Sequence, residues 1–124
     1  PNSTKVGVLA TTGTITTGLY QDSLESNSLK AIIPTPLEQE SIVMEAIYGS
    51  EGVKAGFHQK PALLLKEAAS LLIERGAEYI IAGCTEIPLV LTPQMITVPL
   101  VNSMEVLAQQ AVAFAMGGPS LQNL

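Results

Sequence analysis

The chain has 124 residues, of which 47% are hydrophobic and 14% charged, a balance that excludes a disordered segment and suits one folded domain. Six Lys and Arg face eleven Asp and Glu, and this net charge of −5 argues against nucleic-acid binding because an acidic surface repels phosphates. A single cysteine rules out an intrachain disulfide and any zinc site built on several thiols. Because no apolar run approaches the roughly 20 residues of a spanning helix, we expect a cytoplasmic protein with no membrane partner.

The first part of the chain alternates predicted strands and helices. Residues 5–10 form an apolar run typical of a buried strand, and a turn rich in hydroxyl groups follows at 11–14. We predict a helix at 15–24, capped by a threonine of this turn, and a second strand at 30–34. Apolar side chains at helical spacing then predict a helix at 37–48.

The clearest strand lies in the second half of the chain. A helix is predicted at 61–75, and Gly76 stands at the position of a C-terminal cap. The strand follows at 78–82 and ends in the loop 83–86. Alternating strands and helices, with an aliphatic core, indicate an α/β domain whose four-stranded parallel sheet is flanked by helices.

The last predicted elements are short. A short helix is predicted at 87–91, and a fourth strand at 96–101 is interrupted by a proline, so we expect it to be short or bulged. A final helix is predicted at 104–116. We therefore assign residues 1–116 to the folded domain and 117–124 to a loose tail.

Two loops carry the most reactive side chains. Ligands of parallel sheets bind outside the carboxyl ends of the strands, so the turn 11–14 and the loop 83–86 could face one crevice. Cys84 could be a thiolate base or nucleophile, if a helix N-terminus or a cation lowers its pKa, or else a buried structural thiol. The hydroxyl and N–H groups of Thr12 and Thr14 could bind an anion or cap the next helix.

The remaining polar residues leave alternatives open. Lys54, between two glycines, could reach a carboxylate or be a solvated surface side chain. Thr85 could donate to a substrate carboxylate or cap a helix, and Glu86 could orient the thiol or cap the helix that follows it. His58 is expected in a surface or helix-cap role, because it lacks the neighbours of a metal ligand. With Gly13 as its one glycine, the first turn matches neither a dinucleotide-binding fingerprint nor a P-loop.

Five separated motifs occur in an order that resembles the second half of the aspartate/glutamate racemase family. They are KVGVLATTGT at 5–14, GVKAG at 52–56, ERGAE at 74–78, AGCTEIPL at 82–89 and VPLV at 98–101. Within the family the chain is most similar to aspartate racemases, since Glu86 stands where glutamate racemases place a histidine.

The resemblance implies a cofactor-independent isomerase made of two similar α/β domains that face each other. Each domain of such an enzyme supplies one cysteine, and no cofactor or metal takes part. Cys84 matches the catalytic cysteine of the second domain. Lys54 and Thr85 match residues that bind a substrate carboxylate, and Thr14 matches a substrate-binding threonine of the first loop. We expect support from their neighbours Thr12, Gly13 and Glu86. The implied substrate is a small dicarboxylic amino acid such as aspartate.

The second catalytic cysteine is missing from the sequence. The resemblance therefore implies a partner, either an N-terminal racemase domain or a second copy of the chain. Three alternatives remain at this point. The chain could be a single-domain homologue, a non-catalytic domain that binds small carboxylates, or a relative of the hydantoin racemase or maleate isomerase type.

Overall fold

Apolar side chains cover both faces of the first strand, β1 (Lys5–Leu9), which lies inside the sheet. The structure, a computed structural model, describes residues 4–102. In this part of the chain β1 lies between β2 (Lys30–Ile32) and β3 (Tyr79–Ala82), and β4 (Leu100–Asn102) pairs with the far side of β3. All three pairings are parallel. The predicted four-stranded parallel α/β fold is confirmed.

The register brings the carboxyl ends of the two inner strands level with each other. Leu9, the last residue of β1, is the partner of Ala82, the last residue of β3. The next residue, Gly83, donates its N–H to the carbonyl of Leu9 over 2.7 Å. The loops that follow β1 and β3 therefore start side by side, as the sequence predicted.

The predicted helix at 15–24 is wrong in its bounds and its continuity. The chain instead forms α1 (Thr12–Thr17) and α2 (Leu19–Ser26), separated at Gly18. Gly18 has a φ of 72°, in the left-handed region that glycine adopts at little cost. A single residue in that conformation ends one helix and starts the next.

The predicted helix at 37–48 is present but not regular. It begins as α3 (Pro36–Glu38), widens into a π-helical segment at Gln39–Met44, and ends as α4 (Glu45–Tyr48). Such wide turns are frequent at functional sites. Hydrophobic periodicity does not distinguish them from an ordinary helix, because the same face remains apolar.

The longest helix of the described region matches its prediction well. It is α5 (Gln59–Glu74), and Gly76 follows with a φ of 104°, as expected of a C-terminal glycine. The fourth strand begins only at Leu100, since Pro99 has no N–H to give to the sheet. Three short 3-10 turns lie at Val53–Ala55, Ile87–Leu89 and Pro93–Met95. The predicted helix at 104–116 and tail at 117–124 lie outside the described residues.

Alternating side chains of β1 divide the core between the two faces of the sheet. Val6, Val8 and Ala10 pack with Leu24 of α2 on one face. Leu9 packs on the other face in a larger cluster that includes residues of α4 and α5. None of the helices described here is long and apolar enough to cross a membrane.

Candidate functional site

Side chains of the threonine turn and of the helix at 36–48 hold the turn after β1 through hydrogen bonds. The hydroxyl groups of Thr11 and Thr14 lie 3.1 Å apart. Thr12 donates its N–H to Met44 Sδ over 3.3 Å and its hydroxyl to Glu40 Oε1 over 3.1 Å. The predicted capping of the first helix by Thr12 or Thr14 is wrong, because Thr11 is the N-cap residue and its side chain makes no cap bond within the described region.

Gln39, which was not predicted as a site residue, holds this turn through hydrogen bonds from its side chain. Its side chain is buried, and its Nε2 donates to the carbonyl of Ala10 over 2.8 Å and to the hydroxyl of Thr12 over 3.3 Å. Gln39 shares the buried side of its helix with Val43 and Ala46. A glutamine among the apolar positions of a predicted helix could have indicated this role, because buried polar side chains usually form hydrogen bonds.

Cys84 is the second residue beyond the carboxyl end of β3, in the loop predicted to follow that strand, and is partly buried. The backbone N–H groups of Ile87 and Glu86 act to lower the pKa of its thiol. Burial raises the pKa of the Cys84 thiol, and this effect outweighs the lowering by those donors and by the charge of Lys54. The groups that could lower the pKa of Cys84 are therefore present, but desolvation of the thiolate is the larger effect.

Lys54, Thr85 and Glu86 form a cluster beside Cys84. Lys54 Nζ lies 3.5 Å from Glu86 Oε1 and 5.6 Å from the centre of the Tyr48 ring. The hydroxyl of Thr85 donates to the other oxygen of the Glu86 carboxylate. The negative charge of Glu86 also contributes to the raised pKa of Cys84. Four of the predicted site residues are thus brought to one place.

Glu86 and His58 do not cap helices with their side chains. Glu86 precedes the turn Ile87–Leu89 and His58 precedes α5, but within the described residues neither side chain makes a cap bond. The capping alternative for Glu86 is therefore wrong, since its carboxylate contacts Lys54 and Thr85 instead. Among residues 4–102, no three His, Cys, Asp or Glu side chains are grouped as a metal ion would require.

Thr14 belongs to the neighbouring group, where its hydroxyl pairs with that of Thr11. Next to Cys84, the carbonyl of Gly83 accepts a long hydrogen bond of 3.5 Å from the hydroxyl of Tyr20 in α2. Tyr20 was also missed, because α2 was predicted as part of one longer helix. The site thus consists of a threonine turn and a thiol cluster at the same edge of the sheet.

The chain matches the family model described as Asp/Glu/Hydantoin racemase over residues 2–111. It therefore belongs to this family, and the predicted resemblance is confirmed. An uncharacterized protein from the pnlA 3′ region of Pectobacterium carotovorum subsp. carotovorum is 39% identical to it over 99 residues, which are 79% of this chain and 63% of that protein.

Two solved structures of family members are similar to the fold. The crystal structure of a candidate Asp/Glu racemase from Yersinia pestis gives a TM-score of 0.77 at 29% identity. An aspartate racemase homologue from Pyrococcus horikoshii gives a TM-score of 0.74 at 25% identity. Each match covers 90% of this chain but 48% of the other protein, so the chain spans about half the length of these two structures.

Proposed function

We propose that this chain is the C-terminal catalytic half of a cofactor-independent amino-acid racemase that acts on aspartate or a similar dicarboxylic amino acid. Cys84 transfers a proton at the α-carbon of the substrate. The observation that carries the proposal is the position of its thiol at the carboxyl end of an inner strand, beside Lys54 and Thr85. Membership of the racemase family and the similarity to an aspartate racemase homologue support it.

The environment of Cys84 suits a group that rests in the protonated form. Because burial raises the pKa of this thiol, the sulfur holds its proton near neutral pH until a base of higher proton affinity forms. A carbanion at the α-carbon is such a base. Cys84 would then donate its proton to one face of the carbon after another group has removed the proton from the opposite face, and in the reverse direction its thiolate would remove the proton from its own face.

Two positions supply groups that complement a carboxylate. The ammonium of Lys54 and the hydroxyl of Thr85 lie in the thiol cluster, and we assign them to one substrate carboxylate. Thr14 with its paired hydroxyl on Thr11 lies on the neighbouring turn, and we assign it to the other end of the substrate. Thr12 and Gly13 support these contacts, and Glu86 lies beside them with its carboxylate on Lys54 and Thr85. Positive charge near the α-carboxylate stabilises the negative charge that develops when the α-proton leaves.

The second proton-transfer group must come from outside this sequence, which contains one cysteine. Inversion needs an acid and a base on opposite faces of the same carbon, and one thiol reaches only one face. The half-length coverage of the two family structures supports a partner domain as its source. A second copy of the chain is the other candidate.

Hydrogen exchange at the substrate tests the role of Cys84. The chain is incubated with L-aspartate, and separately with D-aspartate, in deuterium oxide, and the loss of the α-proton signal is followed by proton NMR. We expect exchange that falls by at least about a hundredfold in Cys84→Ala, the usual contribution of a positioned acid–base group. Lack of exchange with both enantiomers in a folded chain, or equal exchange in Cys84→Ala, would contradict the proposal.

The chain offers a matched control for Lys54. Lys54 and Lys60 are both 49% exposed, and each lies 3.5 Å from a glutamate oxygen. In the deuterium-exchange reaction, Lys54→Met should raise the KM for aspartate, because a contact to the substrate carboxylate is lost. Lys60→Met removes the same charge from a pair with Glu51 and should leave KM unchanged.

A further inference from the structure

The two groups that we assign to a substrate carboxylate already contact a carboxylate of the chain itself. Glu86 Oε1 lies 3.5 Å from Lys54 Nζ, and Glu86 Oε2 accepts a hydrogen bond from Thr85. The two oxygens of Glu86 thus contact the same ammonium and hydroxyl that would bind the carboxylate of an incoming ligand. In this respect Glu86 imitates a bound carboxylate.

The Glu86 carboxylate is better shielded from water than its partner. Its side chain is 20% exposed, whereas that of Lys54 is 49% exposed. Loss of the cation from a mostly shielded carboxylate costs free energy, because water does not fully replace the lost interaction. A ligand carboxylate that displaces Glu86 from Lys54 therefore leaves an unpaired negative charge next to its own negative charge and beside the Cys84 sulfur.

That cost is removed if the ligand brings a positive charge of its own. The α-ammonium of an amino acid can pair with the displaced Glu86 carboxylate while the ligand carboxylate takes Lys54 and Thr85. A dicarboxylate without an amino group offers no such exchange, and its charge is repelled by Glu86.

We propose that Glu86 occupies the carboxylate subsite of the empty protein and is the residue that selects amino acids over simple dicarboxylates. This inference rests on the proposed function, because it uses the same subsite for the substrate carboxylate. Glu86 acts here as a specificity-determining residue. Proton transfer remains with Cys84.

The test compares L-aspartate with succinate, which has the same two carboxylates and carbon skeleton but lacks the amino group. Binding is measured by protection of the Cys84 thiol from iodoacetamide. Each Kd is taken from the ligand concentration that halves the alkylation rate, so a change in the reactivity of the thiol does not enter. In the unchanged chain, aspartate should bind about tenfold more tightly than succinate, as expected for one charge-assisted contact.

Glu86→Gln removes the charge and keeps the shape of the side chain. Succinate should then bind about tenfold more tightly than before, and the ratio of the two Kd values should approach one. The matched control is Glu51→Gln, which removes the charge from the exposed pair with Lys60 at the same distance of 3.5 Å. That control should keep the original ratio.

A second variant covers the case in which Glu86→Gln does not fold, as judged by circular dichroism. Glu86→Asp keeps the charge at a position where Asp is well tolerated before a helical turn, but it shortens the reach to Lys54 and Thr85. It should weaken the occupation of the subsite, so that succinate binds several-fold more tightly than in the unchanged chain.

The inference is overturned if both ligands lose affinity equally in the Glu86 variants, since Glu86 would then only hold Lys54 and Thr85 in place. An unchanged ratio, or no protection by either ligand in any variant, overturns it as well. Hydrogen exchange separates this failure from failure of the proposed function. If the α-proton exchanges in a Cys84-dependent way but the ratio of the two Kd values is unchanged in the Glu86 variants, only the selectivity is contradicted. If the ratio changes but no exchange occurs, the chain has a selective binding site and the racemase proposal is contradicted.

Discussion

Gly83 sets the place of Cys84 because it is packed from three sides. A Cβ atom at this position would lie 2.9 Å from the Cβ of Ala10, 3.0 Å from Cε2 of Tyr20 and 3.2 Å from the carbonyl oxygen of Leu9. The last of these neighbours is backbone at the end of an inner strand and cannot move without disturbing β1. Glycine is therefore required here by close approach and not by its backbone angles.

Gly83→Ala should lower the free energy of unfolding by about 1–3 kcal/mol, the usual cost of an added group in a packed site. It should also weaken Cys84-dependent exchange, since the loop must shift to admit the methyl group. Chemical denaturation and the deuterium assay measure the two effects.

Gly13→Ala is the control for that substitution. Gly13 lies in α1, and a Cβ atom there meets nothing within 4 Å. Alanine should be neutral or slightly stabilising at this position because it favours the helix. Equal stability of the two variants would show that the contacts around Gly83 are easily relieved.

The residues with chemical character were predictable from the order of the motifs, whereas those that position them were not. Cys84, Lys54, Thr85 and Glu86 stand in short distinctive runs of the sequence. Gln39 lies inside an amphipathic stretch, and its bond to the carbonyl of Ala10 joins residues that are 29 positions apart. Such a contact depends on the packing of a helix against a strand end, which a local pattern does not contain.

At the scale of elements, one ion pair ties the start of α3 to the end of α5. The Arg75 guanidinium donates to Glu38 through two nitrogens, one of them over 2.7 Å. Glu38 also accepts the N–H of Thr35 over 2.9 Å, which completes a reciprocal cap at the start of α3. The hydrogen bonds from Arg75 and then Thr35 lower the pKa of Glu38 from 4.5 to about 2.

This lowered pKa predicts how the stability of the fold depends on pH. The unfolded chain takes up a proton on Glu38 near pH 4.5, whereas the folded chain does so near pH 2. The stabilisation by Glu38 is therefore complete above pH 4.5 and is lost as the pH falls towards 2. Glu38→Gln should be less stable than the unchanged chain at pH 7, and the difference should shrink at pH 3.

Urea denaturation at the two pH values measures that difference. Glu51→Gln is the comparison, because the Glu51–Lys60 pair is an exposed single contact at 3.5 Å and should contribute little at either pH. A difference for Glu38→Gln that stays constant between pH 7 and pH 3 would contradict the assigned pKa.

The inner strands and α5 were predicted better than the helices that precede α5, because their signals lie in short stretches of the sequence. The apolar runs of β1 and β3 and the glycine after α5 are strong local signals. The break at Gly18 and the π-helical segment Gln39–Met44 depend instead on a single backbone angle and on packing against the threonine turn. Hydrophobic spacing reports which face of a helix is buried, and it remains nearly the same across both irregularities.

For the molecule as a whole, the number of thiols limits what one chain can do. Exchange of the α-proton needs one positioned thiol, whereas inversion needs a group on each face of the α-carbon. The chain has one cysteine and spans about half the length of the two family structures it matches. Exchange and inversion should therefore separate when the chain is studied alone.

The conversion of L-aspartate to D-aspartate, followed by chiral chromatography, should fall towards zero per chain at dilutions where sedimentation finds a monomer. Each monomer then has Cys84 and no second thiol, although α-proton exchange with retained configuration remains possible. If inversion returns at higher concentration, mixing with Cys84→Ala should suppress it, since mixed dimers have one thiol. Inversion per chain that stays constant throughout the monomeric range would mean that a group other than a thiol completes the pair within this chain.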